Sequence, residues 1–296
     1  MTTAELEVLD PGPLTTVQDL GRPGQGALGV PPSGALDRPA AALANRLVGN
    51  PPDAAVLEAT LHGPRLQVRS AGRTVLVAVT GAPAPIRVNG RDSDGFTTLY
   101  LADGAILEVG PASAGVRSYI AVRGGIAVEP VLHSRSHDLL SGLGPPPLQT
   151  ADRLPLGLGG GPLPAVDCVP PPPTDTCPVL VGAPGPRDDW FAPEAVALLT
   201  SAAWEVSPDS NRVGLRLAGP RLLPSRTGQL PSEGVVTGSV QVPQDGQPVV
   251  FLADHPTTGG YPVIAVIDDA CLPAAAQARP GTHLRFTFTP LDRSSP

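Results

Sequence analysis

The sequence contains no lysine; all 20 of its basic residues are arginine. That absence excludes covalent biotin or lipoate on this chain, an internal Schiff base with pyridoxal phosphate, and a lysine-bearing phosphate loop. If the protein works with biotin, ATP or a carboxyl carrier, another chain supplies that part. Charge is scarce as well, at 16% of residues, and the net charge is -7. With the arginines scattered and no basic run, non-specific nucleic-acid binding is disfavoured. No apolar run approaches the roughly 18 residues of a membrane span. The opening MTTAELEVLD lacks the charged and apolar regions of a signal peptide. These features predict a cytoplasmic protein with neither a membrane nor a nucleic-acid partner. Three cysteines are an odd number for a secreted scaffold. Cys168 and Cys177 flank a Pro-rich stretch and read as thiols, not a bridge; Cys271 reads as a packed thiol.

Proline (39) and glycine (34) are plentiful, together about a quarter of the chain. The hydrophobic fraction of 41% and the low charge argue against disorder. The two residue types therefore read as punctuation between many short strands. Strands are predicted at Leu6–Leu9, Arg65–Arg69, Thr74–Val79, Ile86–Val88, Thr97–Leu101, Ile106–Val109 and Arg117–Arg123. Further ones fall at Trp204–Val206, Val213–Leu217, Val235–Val242, Pro248–Leu252, Val263–Ile267 and Leu284–Thr289. Turn signals such as Asn89-Gly90, Asp103-Gly104 and Asp245-Gly246 separate them. Helices are few: Arg38–Val48, capped by Asp37 and stopped at Gly49-Asn50-Pro51, and a short one near Pro193–Thr200. The pattern is mostly β, a barrel or sandwich. A Gly/Pro-rich linker at 161–178 divides it into domains 1–160 and 179–296. Gly63-Pro64-Arg65-Leu66 recurs as Gly219-Pro220-Arg221-Leu222, and Gly26-x-x-x-Val30-Pro31-x-x-Gly34 as Gly238-x-x-x-Val242-Pro243-x-x-Gly246. The two pairs occur in opposite order, which fits similar halves with an exchanged N-terminal segment, or chance in this composition.

The densest polar stretch lies in the second half. Ser232-Glu233-Gly234 leads to Gln241, then Asp254-His255-Pro256-Thr257-Thr258-Gly259-Gly260-Tyr261. Such a turn places hydroxyls beside a backbone that a ligand can approach closely, and its N–H groups suit a carboxylate or phosphate. The bland alternative is a tight hairpin with hydroxyl caps. In the first half, Arg22 among glycines and prolines reads as an anion fork. Ser33 lies in Pro-Pro-Ser-Gly-Ala, which is not a nucleophile elbow. His133 and His137 have i, i+4 spacing, but the flanking Pro, Ser and Gly do not support a helix, so no metal site is predicted and an Arg135–Asp138 ion pair is preferred. Arg187-Asp188-Asp189 either joins a site between domains or caps the following helix.

Taken together, TTVQDLGRPGQGALGVPPSGALDRPAAALANRLVGN, LEATLHGPRL, VTGA, YIAVRGGI, VL-x-SRS-x-DL, PGPRDDWF, SEGVVTGSVQVPQDGQPVVFLADHPTTGGYPVIA and AQARPGTHLRF resemble the KipA-like family. Its members are also called the C subunit of 5-oxoprolinase, allophanate hydrolase subunit 2 or the biotin-dependent carboxyltransferase family. The likeness runs from about Leu9 to Phe286. It implies two cyclophilin-like β-barrel domains and work with a KipI-like partner subunit. With a further LamB/YcsF-like subunit, the assembly implied is an ATP-dependent 5-oxoprolinase, opening 5-oxoproline to glutamate. The alternatives implied are the carboxyltransferase part of a urea carboxylase, fed by biotin on a separate chain, and a non-catalytic antagonist of a kinase inhibitor. ATP would sit at a partner or shared site. Under this resemblance Glu233 and Asp254 become the expected proton handlers. Arg22, Ser33, Arg135, Arg187, Ser232, Gln241, Thr257, Thr258, Gly259, Gly260 and Tyr261 become the expected substrate contacts. One zone departs from the family: VLHSRSHDL carries His133 and His137, and GLGPPPLQTADRL puts prolines 145–147 where relatives have glycines and loses an arginine. Contact of that loop with substrate or partner would alter specificity or activity.

Overall fold

The computed structural model describes residues 4–173, 177–226, 228 and 230–289. The chain forms two compact units, Met1–Arg22 with Ser33–Thr174, and Pro23–Pro32 with Asp175–Pro296.

In the first unit the strands are β1 (Glu5–Asp10), β2 (Thr15–Gln18), β3 (Val56–Thr60), β4 (Arg65–Arg69), β5 (Val75–Gly81), β6 (Ile86–Val88), β7 (Arg91–Ser93), β8 (Thr98–Leu101), β9 (Ile106–Val109), β10 (Arg117–Val122) and β11 (Arg153–Pro155). They form two sheets, ordered β11-β1-β4-β9-β6-β7 and β2-β3-β10-β5-β8. Alternate residues of both sheets, among them Leu6, Val68, Leu107, Leu57, Val77 and Ile120, bury one core. Period-2 alternation dictates this, since every second side chain of a strand points the same way. Asn89 and Gly90 both have positive φ in the β6–β7 hairpin, as a two-residue turn between twisted strands requires.

Helix α1 (Arg38–Leu47) covers the outer face of the second sheet through Ala41, Ala44 and Leu47, packed with Val56, Ala78 and Tyr119. Asp37 caps it, accepting from Ala40 N at 3.0 Å. The stretch expected as linker is partly built into this unit: Thr98 N donates to Asp167 O (2.7 Å) and Val169 N to Phe96 O (3.0 Å), so residues 167–169 run along β8. Residues 174–176 of that stretch lie outside the described residues.

The second unit is a closed barrel. Its strands are β12 (Val179–Pro184), β13 (Trp204–Val206), β14 (Gly214–Ala218), β16 (Ser239–Gln241), β17 (Val249–Phe251), β19 (Val263–Ile267) and β20 (His283–Phe288), and a separate ribbon pairs β15 (Glu233–Gly234) with β18 (Thr258–Gly259). The barrel runs β12-β19-β16-β17-β14-β13-β20 and closes through parallel pairing of β12 with β20. Leu180, Trp204, Leu215, Val240, Ile264 and Phe286 fill it. Helices α2 (Pro193–Ser201) and α3 (Leu272–Gln277) flank it; Trp204 Nε1 donates to Leu199 O at 3.0 Å and ties α2 to the wall. One expectation changes here. The strand expected over Val235–Val242 is broken, because Gly238 has a φ of 86° and no extended run passes through that conformation. α3 carries no strong sequence signal. Among the described residues no helix is long and apolar enough to cross a membrane.

Candidate functional site

The first-half candidates gather around one loop, but they build the fold. Arg22 is 2% exposed; its Nε donates to Val131 O (3.4 Å) and Nη2 to Ser136 O. An arginine this enclosed is no open anion fork, which corrects that expectation. Ser33 is fully buried, in the left-handed region (φ 52°), with its Oγ donating to His137 O at 3.0 Å, so it holds backbone. Arg135 Nε donates to Val128 O (2.7 Å), and its backbone N–H to Asp19 Oδ2 (2.6 Å). The expected Arg135–Asp138 pair is replaced: buried Asp138 accepts instead from Leu140 N (2.9 Å) and Ser141 Oγ (2.5 Å). Asp19 explains the Ser-Arg-Ser word. Its Oδ1 accepts from Ser134 Oγ and Ser136 Oγ, each at 2.6 Å, so the carboxylate pins the loop to the end of β2. His133 has a φ of 67° and lies outside any helix.

A second polar cluster, under α1, is one that sequence reasoning missed. Glu58, 1% exposed, accepts from Tyr119 Oη (2.8 Å) and Leu36 N (3.0 Å) and faces Arg117 Nε at 3.6 Å. Tyr119 Oη accepts in turn from Asp37 N at 2.7 Å. Burial, then the negative charges of Glu58 and Asp37, push the Tyr119 phenol well above its ordinary value. It stays protonated and serves as a fixed link between sheet and helix start.

The second unit brings together most of the remaining candidates. Glu233 on β15 faces Gly259 on β18, and Gly234 faces Thr258. Arg187 grips Glu233 with both edges of its fork, Nε to Oε2 at 2.9 Å and Nη2 to Oε1. The hydrogen bond from Arg187 holds the Glu233 carboxyl below its ordinary value, and the same bond raises the guanidinium. Gln241, 6% exposed, donates from Nε2 to Tyr261 O at 3.1 Å. A side chain at Gly259 would collide with that amide nitrogen. Thus the Thr-Thr-Gly-Gly-Tyr word forms the ribbon edge, with Thr258 and Tyr261 exposed; Ser232, also exposed, precedes it.

Beside this ribbon opens a cavity of about 590 Å³, within the range of roughly 300–1,000 Å³ typical of small-molecule sites. Trp190, Pro224, Val242, Pro243 and Tyr261 line it, with Arg226 as the charged member of the lining. Neither Trp190 nor Arg226 stood out in the sequence.

Asp254 does not reach this place. It is fully buried and held by Arg212, itself 1% exposed, through Nε–Oδ2 (2.8 Å) and Nη2–Oδ1 (3.0 Å). Both oxygens are engaged and shielded from water, so the expectation of a proton handler is corrected to a structural ion pair. Neighbouring His255 has its Nδ1 2.6 Å from Pro256 O and its ring stacked on Phe251.

Residues 28–288 match the model of the family described as carboxyltransferase domain, subdomain A and B. The chain is 36% identical to the C subunit of 5-oxoprolinase from Escherichia coli (strain K12), over 98% of this chain and 93% of that protein. It is 34% identical to urea amidolyase of Lachancea kluyveri, over 95% of this chain but 17% of that protein. The crystal structure of TTHA0988 superposes with a TM-score of 0.87 at 37% identity, over 97% of this chain and 56% of that one. The chain thus spans nearly all of the bacterial relative, about half of the crystallised one and about a sixth of the yeast enzyme.

Proposed function

This chain belongs to the family of carboxyltransferase domains of subdomains A and B, and from that premise we propose that it is one subunit of an ATP-dependent 5-oxoprolinase. The assembly would break the lactam C–N bond of 5-oxoproline, take up water and release glutamate, with ATP hydrolysed. The observation that carries this reading is the near end-to-end match with the E. coli protein named as the C subunit of 5-oxoprolinase. The proposed partners are a KipI-like subunit and a LamB/YcsF-like subunit. The proposed place of work is the cytoplasm.

The site proposed for this role is the cavity beside the β15–β18 ribbon. Gly260 and Tyr261, which follow β18, are part of its lining, and the apolar wall suits a small ring. Glu233, held as a carboxylate by Arg187, forms a fixed ion pair on the neighbouring ribbon. ATP does not fit here. A triphosphate needs a lysine-bearing loop or several converging cations; the chain has no lysine, and the cavity lining has Arg226. Phosphate handling is therefore assigned to the partners.

The test is reconstitution with both partners, scoring glutamate released from 5-oxoproline with ATP. No release with both partners present would overturn the proposal. The match to urea amidolyase favours a second reading, carboxyl transfer from biotin carried elsewhere. Streptavidin blotting of the purified complex decides it: a biotinylated partner supports carboxyl transfer, and none counts against it.

A further inference from the structure

The geometry points to Arg226 as the residue that holds the carboxylate of a small cyclic acid in the second unit's cavity. This rests on the reading above and names the determinant that would select an acid over a neutral substrate.

The other arginines considered for an anion are engaged. Arg22 is buried on carbonyls, Arg135 donates to Val128 O, and Arg187 spends both fork positions on Glu233. Arg226 differs in two respects. It lines the cavity, where the other described lining residues are uncharged. Its Nη2 lies 2.9 Å from Asp189 Oδ2, and both side chains are about half exposed. A guanidinium carries more N–H donors than one carboxylate accepts, so a second anion can be received on the same fork.

Position is set by backbone, not by the ion pair alone. Ser225 N–H donates to Trp190 O at 2.8 Å, Ser225 Oγ donates to the same oxygen at 3.1 Å, and Phe191 bridges to Pro224. The segments bearing Asp189 and Arg226 are therefore stitched side by side before any ligand arrives, which lowers the ordering cost of binding. Trp190 and Pro224 from those same segments form apolar wall next to the cation. A ring with a carboxylate matches that pairing, ring on the wall and anion on the fork. A neutral amide such as urea can accept one hydrogen bond from the cation but forms no ion pair with it.

The test uses the full chain and its two tryptophans. Trp204 is fully buried in the barrel and supplies a constant background, whereas Trp190 faces the cavity. Titration with L-5-oxoproline should change Trp190 emission; 2-pyrrolidone, the same ring without the carboxylate, should bind about tenfold or more weakly, the loss of one charge-assisted pair. Arg226→Gln should weaken the acid by a similar factor and abolish the preference for acid over lactam, with Arg226→Lys in between. Asp189→Asn removes the competing carboxylate and should tighten the acid. If Arg226 only anchored Asp189, the two variants would behave alike. Equal binding of acid by wild type and Arg226→Gln, equal binding of acid and lactam, or no acid binding by wild type would overturn the inference. Failure of the broader reading looks different: no glutamate release by the assembly while Arg226-dependent acid binding persists. Conversely, glutamate release with an unchanged KM in Arg226→Gln would sink Arg226 and leave that reading standing.

Discussion

Asp254 and Glu233 are carboxylates in the same unit, each gripped by one arginine, yet they differ in consequence. The Asp254–Arg212 pair is sealed from water. Asp254→Ala would leave a buried guanidinium without its partner and should destabilise the second unit by about 3–5 kcal/mol, read by denaturant unfolding. Glu233 is partly exposed, and its ordinary value of 4.5 is lowered by the Arg187 hydrogen bond. A lowered folded-state value stabilises the protein above the unfolded value, and that contribution is lost as pH falls through the folded one. The stability difference between wild type and Glu233→Gln should thus hold steady above pH 4.5 and vanish in more acid solution, as followed by thermal unfolding. Sequence could nominate both residues as chemically capable. It could not assign Arg212 to Asp254, a partner 42 positions away, because fork contacts are set by the barrel and not by spacing.

At the scale of elements, strands with alternating apolar residues and marked turns were legible: Arg65–Arg69, Ile86–Val88, Ile106–Val109, Trp204–Val206 and Val263–Ile267 stand as read. So did the helix after Asp37, whose cap is a local hydrogen bond. Asp37→Ala should cost about 1 kcal/mol, with a lower melting temperature as the readout. β2 was missed because Thr15–Gln18 looks like polar loop; all four residues are buried, and Gln18 Nε2 donates to His137 O at 2.9 Å. β3 and α3 were missed too: a short apolar stretch and an alanine-rich turn are ambiguous without their neighbours. The ribbon of Glu233 and Gly259 was visible only as a concentration of polar residues. Its pairing joins distant segments, and no local pattern encodes that. Trp190 and Arg226 escaped for the same reason, since a cavity wall assembled from separate loops has no period.

For the whole molecule, the missing lysine and the architecture lead to one account. The chain has two β units, one with a cavity whose charged member among the described lining residues is an arginine, and phosphate handling is proposed to lie with other subunits. Prolines 145–147 belong to the first unit, where the N–H of the following Leu148 donates to Thr15 O, and they are not part of the cavity lining. The most direct test is ATP-dependent glutamate release from 5-oxoproline by the mixture of KipI-like and LamB/YcsF-like partners, measured with and without this chain. The account predicts release only when the chain is present. Equal release without it, or none with all three, would contradict the account.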